Sequence, residues 1–175
     1  MEKPHILIVG AKGVGKSTLI GKLLKLTSKP LYGYYTLSTP RDGNNYHKIY
    51  IHDAASDVRV MEDANCIGDC NRKVHNPNID VFDNLGAKYI RAAKPGGIIV
   101  MDEIGFLESG AKEFTQAILD ALDGDIPVIA AVKDMDNVPF LDRVRGCAKA
   151  LRYDITEDNR DSLYEELKGL SLFAD

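Results

Sequence analysis

The chain has 175 residues, enough for one domain that buries about 70% of its unfolded surface. Hydrophobic content of 45%, charged content of 27% and a formal net charge of −4 describe a globular protein with no general attraction for nucleic acid or anionic membrane. No apolar stretch approaches the ~20 residues that cross a bilayer, Met1 runs into a predicted strand by His5 with no room for a signal peptide, and three cysteines make no disulfide framework. These features predict a single cytoplasmic domain over residues 1–175.

His5-Ile6-Leu7-Ile8-Val9 is an unbroken apolar run, the pattern of a strand covered on both faces. Leu19, Leu23, Leu24 and Leu26 then mark a helix that ends before Pro30. Residues 33–38 and 46–52 are rich in Tyr, Thr and Ile. The turn-forming segment Pro40-Arg41-Asp42-Gly43-Asn44-Asn45 between them predicts a β-hairpin. Residues 54–78 are polar, contain Gly68 and Pro77, and read mostly as loop.

Val81 to Ala93 reads as a helix, and Ile98-Ile99-Val100-Met101 as a second buried strand. Ala111 to Leu122 is a helix with Phe114, Ile118 and Leu122 on one face, stopped by Gly124. Pro127 to Val132 is a third buried strand, Pro139 to Ala148 a helix, and Leu151 to Ile155 a short strand. A helix from Glu157 to Leu170, with Thr156 as N-cap, closes the chain. Buried strands alternating with helices predict an α/β three-layer fold, its sheet mainly parallel, with helices on both faces and an inserted β-hairpin.

Between the first strand and the first helix lies Gly10-Ala11-Lys12-Gly13-Val14-Gly15-Lys16-Ser17, a full match to the phosphate-binding loop, with Thr18 following. Its glycines let the backbone turn its N–H groups inward as an anion nest, and the following helix aims its positive dipole end at the same place. Lys16 has the reach for β- and γ-phosphates, and the Ser17 hydroxyl suits a Mg²⁺ ion. Residues 10–18 are therefore the predicted nucleotide-binding segment, with Lys16 also catalytic.

Four apolar residues of the second strand lead into Asp102-Glu103, which places both carboxylates at the carboxyl edge of the sheet, where α/β folds bind ligands. Asp102 is the expected partner of Ser17 in holding Mg²⁺, and Glu103 the expected general base or positioner of water. Asp102-Glu103-Ile104-Gly105 also fits the D-x-x-G box of guanine-nucleotide switches. No Asn-Lys-x-Asp base-reading box follows the next strand, which leads into Lys133-Asp134, so a guanine-specific switch is excluded. Lys133 stands at the ligand edge.

Other candidates are less determined. Arg41, Arg72, Arg91, Arg143 and Arg160 are arginines that the fold could bring to a phosphate, and the sequence does not choose among them. Cys66, Cys70 and His75 make an incomplete structural-metal set and read as ordinary side chains of a loop. Tyr32, Tyr34, Tyr35, Tyr46 and Tyr50 suit either base stacking or cross-strand packing.

Taken with both motifs, the sequence resembles the thermophilic-type nucleoside-triphosphatase family, which includes the cancer-related nucleoside-triphosphatase. The likeness is carried by residues 10–19, by Gly33-Tyr34-Tyr35-Thr36 with Arg41 and Gly43, and by Asn76-Pro77-Asn78 through Phe82. It continues in Asp102-Glu103-Ile104-Gly105-Phe106-Leu107-Glu108, Lys112-Glu113-Phe114 and Asn159-Arg160-Asp161. The resemblance implies Mg²⁺-dependent hydrolysis of nucleoside triphosphates, ATP and GTP among them, to diphosphate and phosphate with loose base selectivity. It also implies a fold close to nucleotide kinases with a hairpin near the active site. Two alternatives share the motifs: a nucleotide or small-molecule kinase, and an ATP-binding accessory protein that acts on a protein partner.

Overall fold

The apolar runs of the sequence become the centre of one sheet. In a computed structural model, which describes residues 3–174, that sheet is built from β1 (His5–Gly10), β2 (Leu31–Ser38), β3 (His47–Asp53), β4 (Cys66–Cys70), β5 (His75–Pro77), β6 (Ile98–Ile104), β7 (Val128–Lys133) and β8 (Ala150–Asp154). The strand order is β5-β4-β3-β2-β6-β7-β1-β8. From β2 to β8 all neighbours are parallel, while β2–β3, β3–β4 and β4–β5 are antiparallel. Met1, where the expected direct entry into the first strand begins, lies outside the described residues.

Strand alternation sorts the core into two layers. Ile6, Ile8, Ile98, Val100, Ile129 and Ala131 pack on one face with Ile20 and Leu23 of α1 (Lys16–Leu24) and Leu163 and Leu167 of α6 (Arg160–Leu167). Leu7, Val9, Ile99, Met101, Val128 and Ala130 pack on the other. Their partners include Phe82, Phe114 and Ile118 of the chain from α2 (Ile79–Val81) through α3 (Ala87–Arg91) to α4 (Lys112–Asp123), and Leu141 and Val144 of α5 (Pro139–Arg145). The expected three-layer α/β architecture follows from this double covering, which is also why the central strands carry no polar face. Residues Phe82–Gly86 between α2 and α3 wind as a π-helix, and the Asp83 carboxylate there accepts the Phe114 N–H at 3.0 Å near the start of α4.

The expected hairpin is β2–β3, with Tyr35 opposite His52, and Asp42 Oδ1 ties its turn by accepting N–H groups from Asn44 and Tyr46 at 2.8 Å each. Gly33 lets β2 serve both halves of the sheet. Its φ is +86°, and a Cβ there would stand 2.1 Å from Val100 O on β6.

Residues 54–78 are loop over most of their length, as expected, but they also hold the short strands β4 and β5, which extend the hairpin into an antiparallel wing. Cys66-Ile67-Gly68-Asp69-Cys70 shows no apolar alternation, so ladder bonds to β3 define it rather than side-chain pattern, and the register shifts beside it. The last helix begins at Arg160 rather than at Glu157. Thr156 instead forms a reciprocal pair with Asn159: the Thr156 N–H donates to Asn159 Oδ1 at 2.8 Å, and the Asn159 N–H to Thr156 Oγ1 at 3.3 Å.

Candidate active site

Because β1, β6 and β7 are parallel, their carboxyl ends open on the same edge of the sheet. The connection after β1 enters α1 on one face, and that after β7 enters α5 on the other. A crevice therefore opens between these two neighbouring strands, at a topological switch point. Every candidate carboxylate and the phosphate loop meet there.

Gly15 ends the loop at φ 110° in the left-handed region, which frees the first turn of α1 to present its N–H groups. Lys16 is 3% exposed and folds back over the loop. Its Nζ donates to Gly10 O at 2.8 Å and Ala11 O at 2.7 Å, and lies 3.1 Å from Glu103 Oε2. Ser17 Oγ donates to Asp102 Oδ1 at 2.6 Å, so the two expected Mg²⁺ partners are in contact across 85 residues of sequence. Asp102 lies on β6, two strands from β1, and reaches Ser17 because α1 packs against the intervening β7.

Neighbouring residues of a regular strand face opposite sides of the sheet, yet Asp102 and Glu103 both face the loop. A β-bulge explains this. Asp102 pairs with Ala131 and Ile104 with Val132, which leaves Glu103 as an extra residue re-aimed at Lys16. Lys133, at the end of β7, holds the other Glu103 oxygen at 3.4 Å. Lys133 therefore contributes a cation against the carboxylate.

Burial pushes the Asp102 carboxyl up to about 6, with Glu103 adding to the rise and the Ser17 hydrogen bond and Lys16 opposing it. Such a buried carboxylate beside a hydroxyl is a hard oxygen pair of the kind Mg²⁺ uses together with substrate phosphates. Glu108 is 3% exposed, and burial raises it to about 7 against the opposing bond from the Gly105 N–H. That N–H donates to Glu108 Oε1 at 2.6 Å. The three-residue spacing from Gly105 to Glu108 therefore closes a turn immediately behind Glu103. Tyr34, fully buried against Phe114, donates its hydroxyl to Glu103 O at 3.4 Å from below.

The arginine question narrows. Arg91 is paired with Glu113 at 2.8 Å, and Arg143 lines a groove with Cys147 away from the loop. Arg160 lies over the phosphate loop, its Cδ and Nη1 3.7 and 3.8 Å from where a Cβ on Gly15 would stand. Arg41 bonds Asn45 in the hairpin turn, and together with Lys133 its charge lowers the proton affinity of Lys12, which burial lowers most. Beside the loop, Gly15, Thr18, Lys22, Arg160 and Tyr164 line a hollow of about 230 Å³.

Several other candidates are structural. Tyr34 and Tyr50 are buried in the core, and Tyr35 stacks under Arg59 with 5.2 Å from guanidinium to ring. Cys66 and Cys70 lie on β4, with His75 opposite Cys70 on β5. Among the described residues no group of three His, Cys, Asp or Glu side chains is placed to hold a metal, and no helix is long and apolar enough to cross a membrane.

Comparison with known proteins agrees with this geometry. The sequence profile of the family described as NTPase matches residues 5–168. The chain is 30% identical over 168 residues to Nucleoside-triphosphatase THEP1 of Methanosarcina acetivorans, covering 93% of this chain and 94% of that one. It is 28% identical over 170 residues to Nucleoside-triphosphatase THEP1 of a Thermotoga species, covering 96% and 95%. It is 25% identical over 178 residues to the mouse Cancer-related nucleoside-triphosphatase homolog, covering 93% and 94%. The crystal structure of THEP1 from the hyperthermophile Aquifex aeolicus superposes with a TM-score of 0.77 at 23% identity, over 98% of this chain and 99% of that one, a likeness of fold. The family match over residues 5–168, a span that includes the phosphate loop and the paired carboxylates of the crevice, places this chain in the NTPase family.

Proposed function

We propose that the chain is a Mg²⁺-dependent nucleoside-triphosphatase that releases phosphate from NTPs with loose base selectivity. The observation that carries this reading is the convergence of Ser17 Oγ on Asp102 at 2.6 Å with Lys16 Nζ on Glu103 at 3.1 Å, at the mouth of a complete phosphate loop. Loop N–H groups and the start of α1 cradle the phosphates. Lys16 exchanges its bonds to the Gly10 and Ala11 carbonyls for the β- and γ-oxygens.

Ser17 and Asp102 are the residues that would hold the ion. When bound, Mg²⁺ supplies positive charge against the β- and γ-oxygens. Glu103, fixed between Lys16 and Lys133, orients a water and accepts its proton as the new P–O bond forms. The bond from γ-phosphorus to the bridging oxygen breaks, and its electron pair leaves with the diphosphate, where Lys16 meets the charge. Glu108 keeps Glu103 in register through the Gly105 turn.

Arg160, Tyr164 and Lys22 receive the nucleoside end in the hollow beside Thr18. The long, flexible side chains of Lys22 and Arg160 that line that hollow support weak discrimination between bases. The test is phosphate release from ATP, GTP, CTP and UTP with Mg²⁺ and no acceptor. Release from all four, lost together with nucleotide binding in Lys16→Ala, is expected. Tight binding without release would refute the reading and favour an accessory role.

A further inference from the structure

The crevice beyond the phosphate loop holds a cleft of about 270 Å³ whose far wall the hydrolytic reading does not use. Its near side is Lys12 of the loop and Lys133 at the end of β7, which also touches Glu103. Its far side is the antiparallel wing, through Ile49 of β3, Asn71 in the β4–β5 turn and His75 of β5. Phe106 and Met135 supply apolar surface. Without the wing, Lys133 and Phe106 would lie on an open surface, so β4 and β5 give a strand-end crevice its second wall.

The chemistry of the cleft is directional. The whole chain carries a net charge of −4, yet two lysines line this cleft, Lys12 and Lys133, the second shared with Glu103 at 3.4 Å. Lys12 makes no hydrogen bond or ion pair among the described residues, and the Arg41 and Lys133 charges lie close enough to lower its proton affinity. The acid on the lining, Asp134, is more than half exposed and lies 3.0 Å from Arg145, which also holds Asp142 at 2.6 Å. Asn71 uses its oxygen on the N–H groups of Lys73 and Val74 at 2.8 and 2.7 Å, which leaves its amide NH₂ as a donor. Beside these donors is an aromatic corner: the His75 and Phe106 rings meet edge to face at 4.8 Å, and Lys133 Nζ lies 5.3 Å from the Phe106 centroid.

We propose that this cleft is a second ligand site, built for a small organic anion with an apolar or aromatic body that binds alongside the nucleotide. Its volume is at the lower edge of the roughly 300–1,000 Å³ typical of small-molecule sites, which suits a ligand smaller than a nucleotide. Its position relative to the nucleotide rests on the proposed NTP reading. Ser17, Asp102 and Glu103 mark the γ-phosphate end, and the hollow beside Thr18 and Arg160 lies on the other flank of the loop. An occupant of the cleft therefore lies beyond the γ-phosphate, next to Lys133 and Glu103.

Phenyl phosphate, a ring carrying one phosphate, is the probe. It would be titrated calorimetrically into the full chain saturated with Mg²⁺ and a non-hydrolysable ATP analogue. Binding in the presence of the analogue is expected, weakened by about tenfold or more in His75→Glu, which places a negative charge on the exposed wall. Met135→Trp, which fills the apolar side, should block the probe. Both variants should bind the analogue as the wild type does, and thermal melting verifies that each is folded.

Displacement of phenyl phosphate by the analogue would overturn the inference, because the cleft would then be part of the nucleotide site. So would the absence of probe binding at millimolar concentration, or unchanged probe binding in both folded variants. Inorganic phosphate binding as tightly as phenyl phosphate would overturn the organic class of the ligand. NTP hydrolysis by the same preparations is read separately: hydrolysis without probe binding sinks this inference alone, and probe binding without hydrolysis sinks the NTPase reading alone.

Discussion

Glu108 offers a quantitative check on the site's scaffold. Its carboxyl is buried, accepts the Gly105 N–H at 2.6 Å, and is raised from an ordinary 4.5 to about 7. An acid whose folded value lies above its unfolded value binds its proton more tightly in the native state. Stability is therefore greatest below about pH 4.5 and falls as pH rises through the window up to about 7, where the loss is complete. At ~1.36 kcal/mol per pH unit, a rise from 4.5 to about 7 corresponds to about 3 kcal/mol.

Glu108→Gln keeps an oxygen for the Gly105 N–H and removes the titration. Urea unfolding between pH 4.5 and 8 should then show the variant losing less stability with rising pH, the two curves diverging by up to about 3 kcal/mol. Asp102, raised to about 6 by burial, tilts both curves in the same direction and so cancels in the difference. Parallel curves for wild type and variant would refute the assignment of a buried, proton-holding carboxyl at 108.

Three further outcomes are expected. Asp102→Asn should raise the Mg²⁺ concentration for half-maximal phosphate release by about 10- to 100-fold, while metal-free nucleotide binding measured by calorimetry stays near the wild type. Arg160→Ala should raise KM about tenfold with little change in kcat, as for uniform binding at the nucleoside end; a large fall in kcat at constant KM would instead make Arg160 a transition-state contact. Gly33→Ala meets both a φ of +86° and the Val100 carbonyl, so it should destabilise the fold by about 2–4 kcal/mol in urea titration, whereas a change within ~0.5 kcal/mol would contradict the close approach.

The sequence made the phosphate loop and the central strands legible because each is a local signal: glycines at fixed spacing, or an apolar run covered on both faces. Ser17 and Asp102 could be paired by role, since an acidic residue after a buried strand falls at the ligand edge. The antiparallel wing was illegible because β4 holds Gly68 and Asp69 and depends on backbone pairing with β3. Nor does any residue pattern announce the bulge at Glu103, which arises only from pairing with β7. Glu108 could be quoted as part of a motif, but its bond back to Gly105 needed coordinates. Arg160 could be quoted as a candidate, but its place over the loop follows from the Thr156–Asn159 turn, which starts α6 beside Gly15.

The central claim is that Glu103, held between Lys16 and Lys133, prepares water for attack on a bound triphosphate. Single-turnover phosphate release by Glu103→Gln, with nucleotide affinity measured on the same protein, tests it most directly. The rate should fall by about 10²- to 10⁴-fold with the triphosphate still bound. Release at the wild-type rate by a variant that binds nucleotide normally would contradict it.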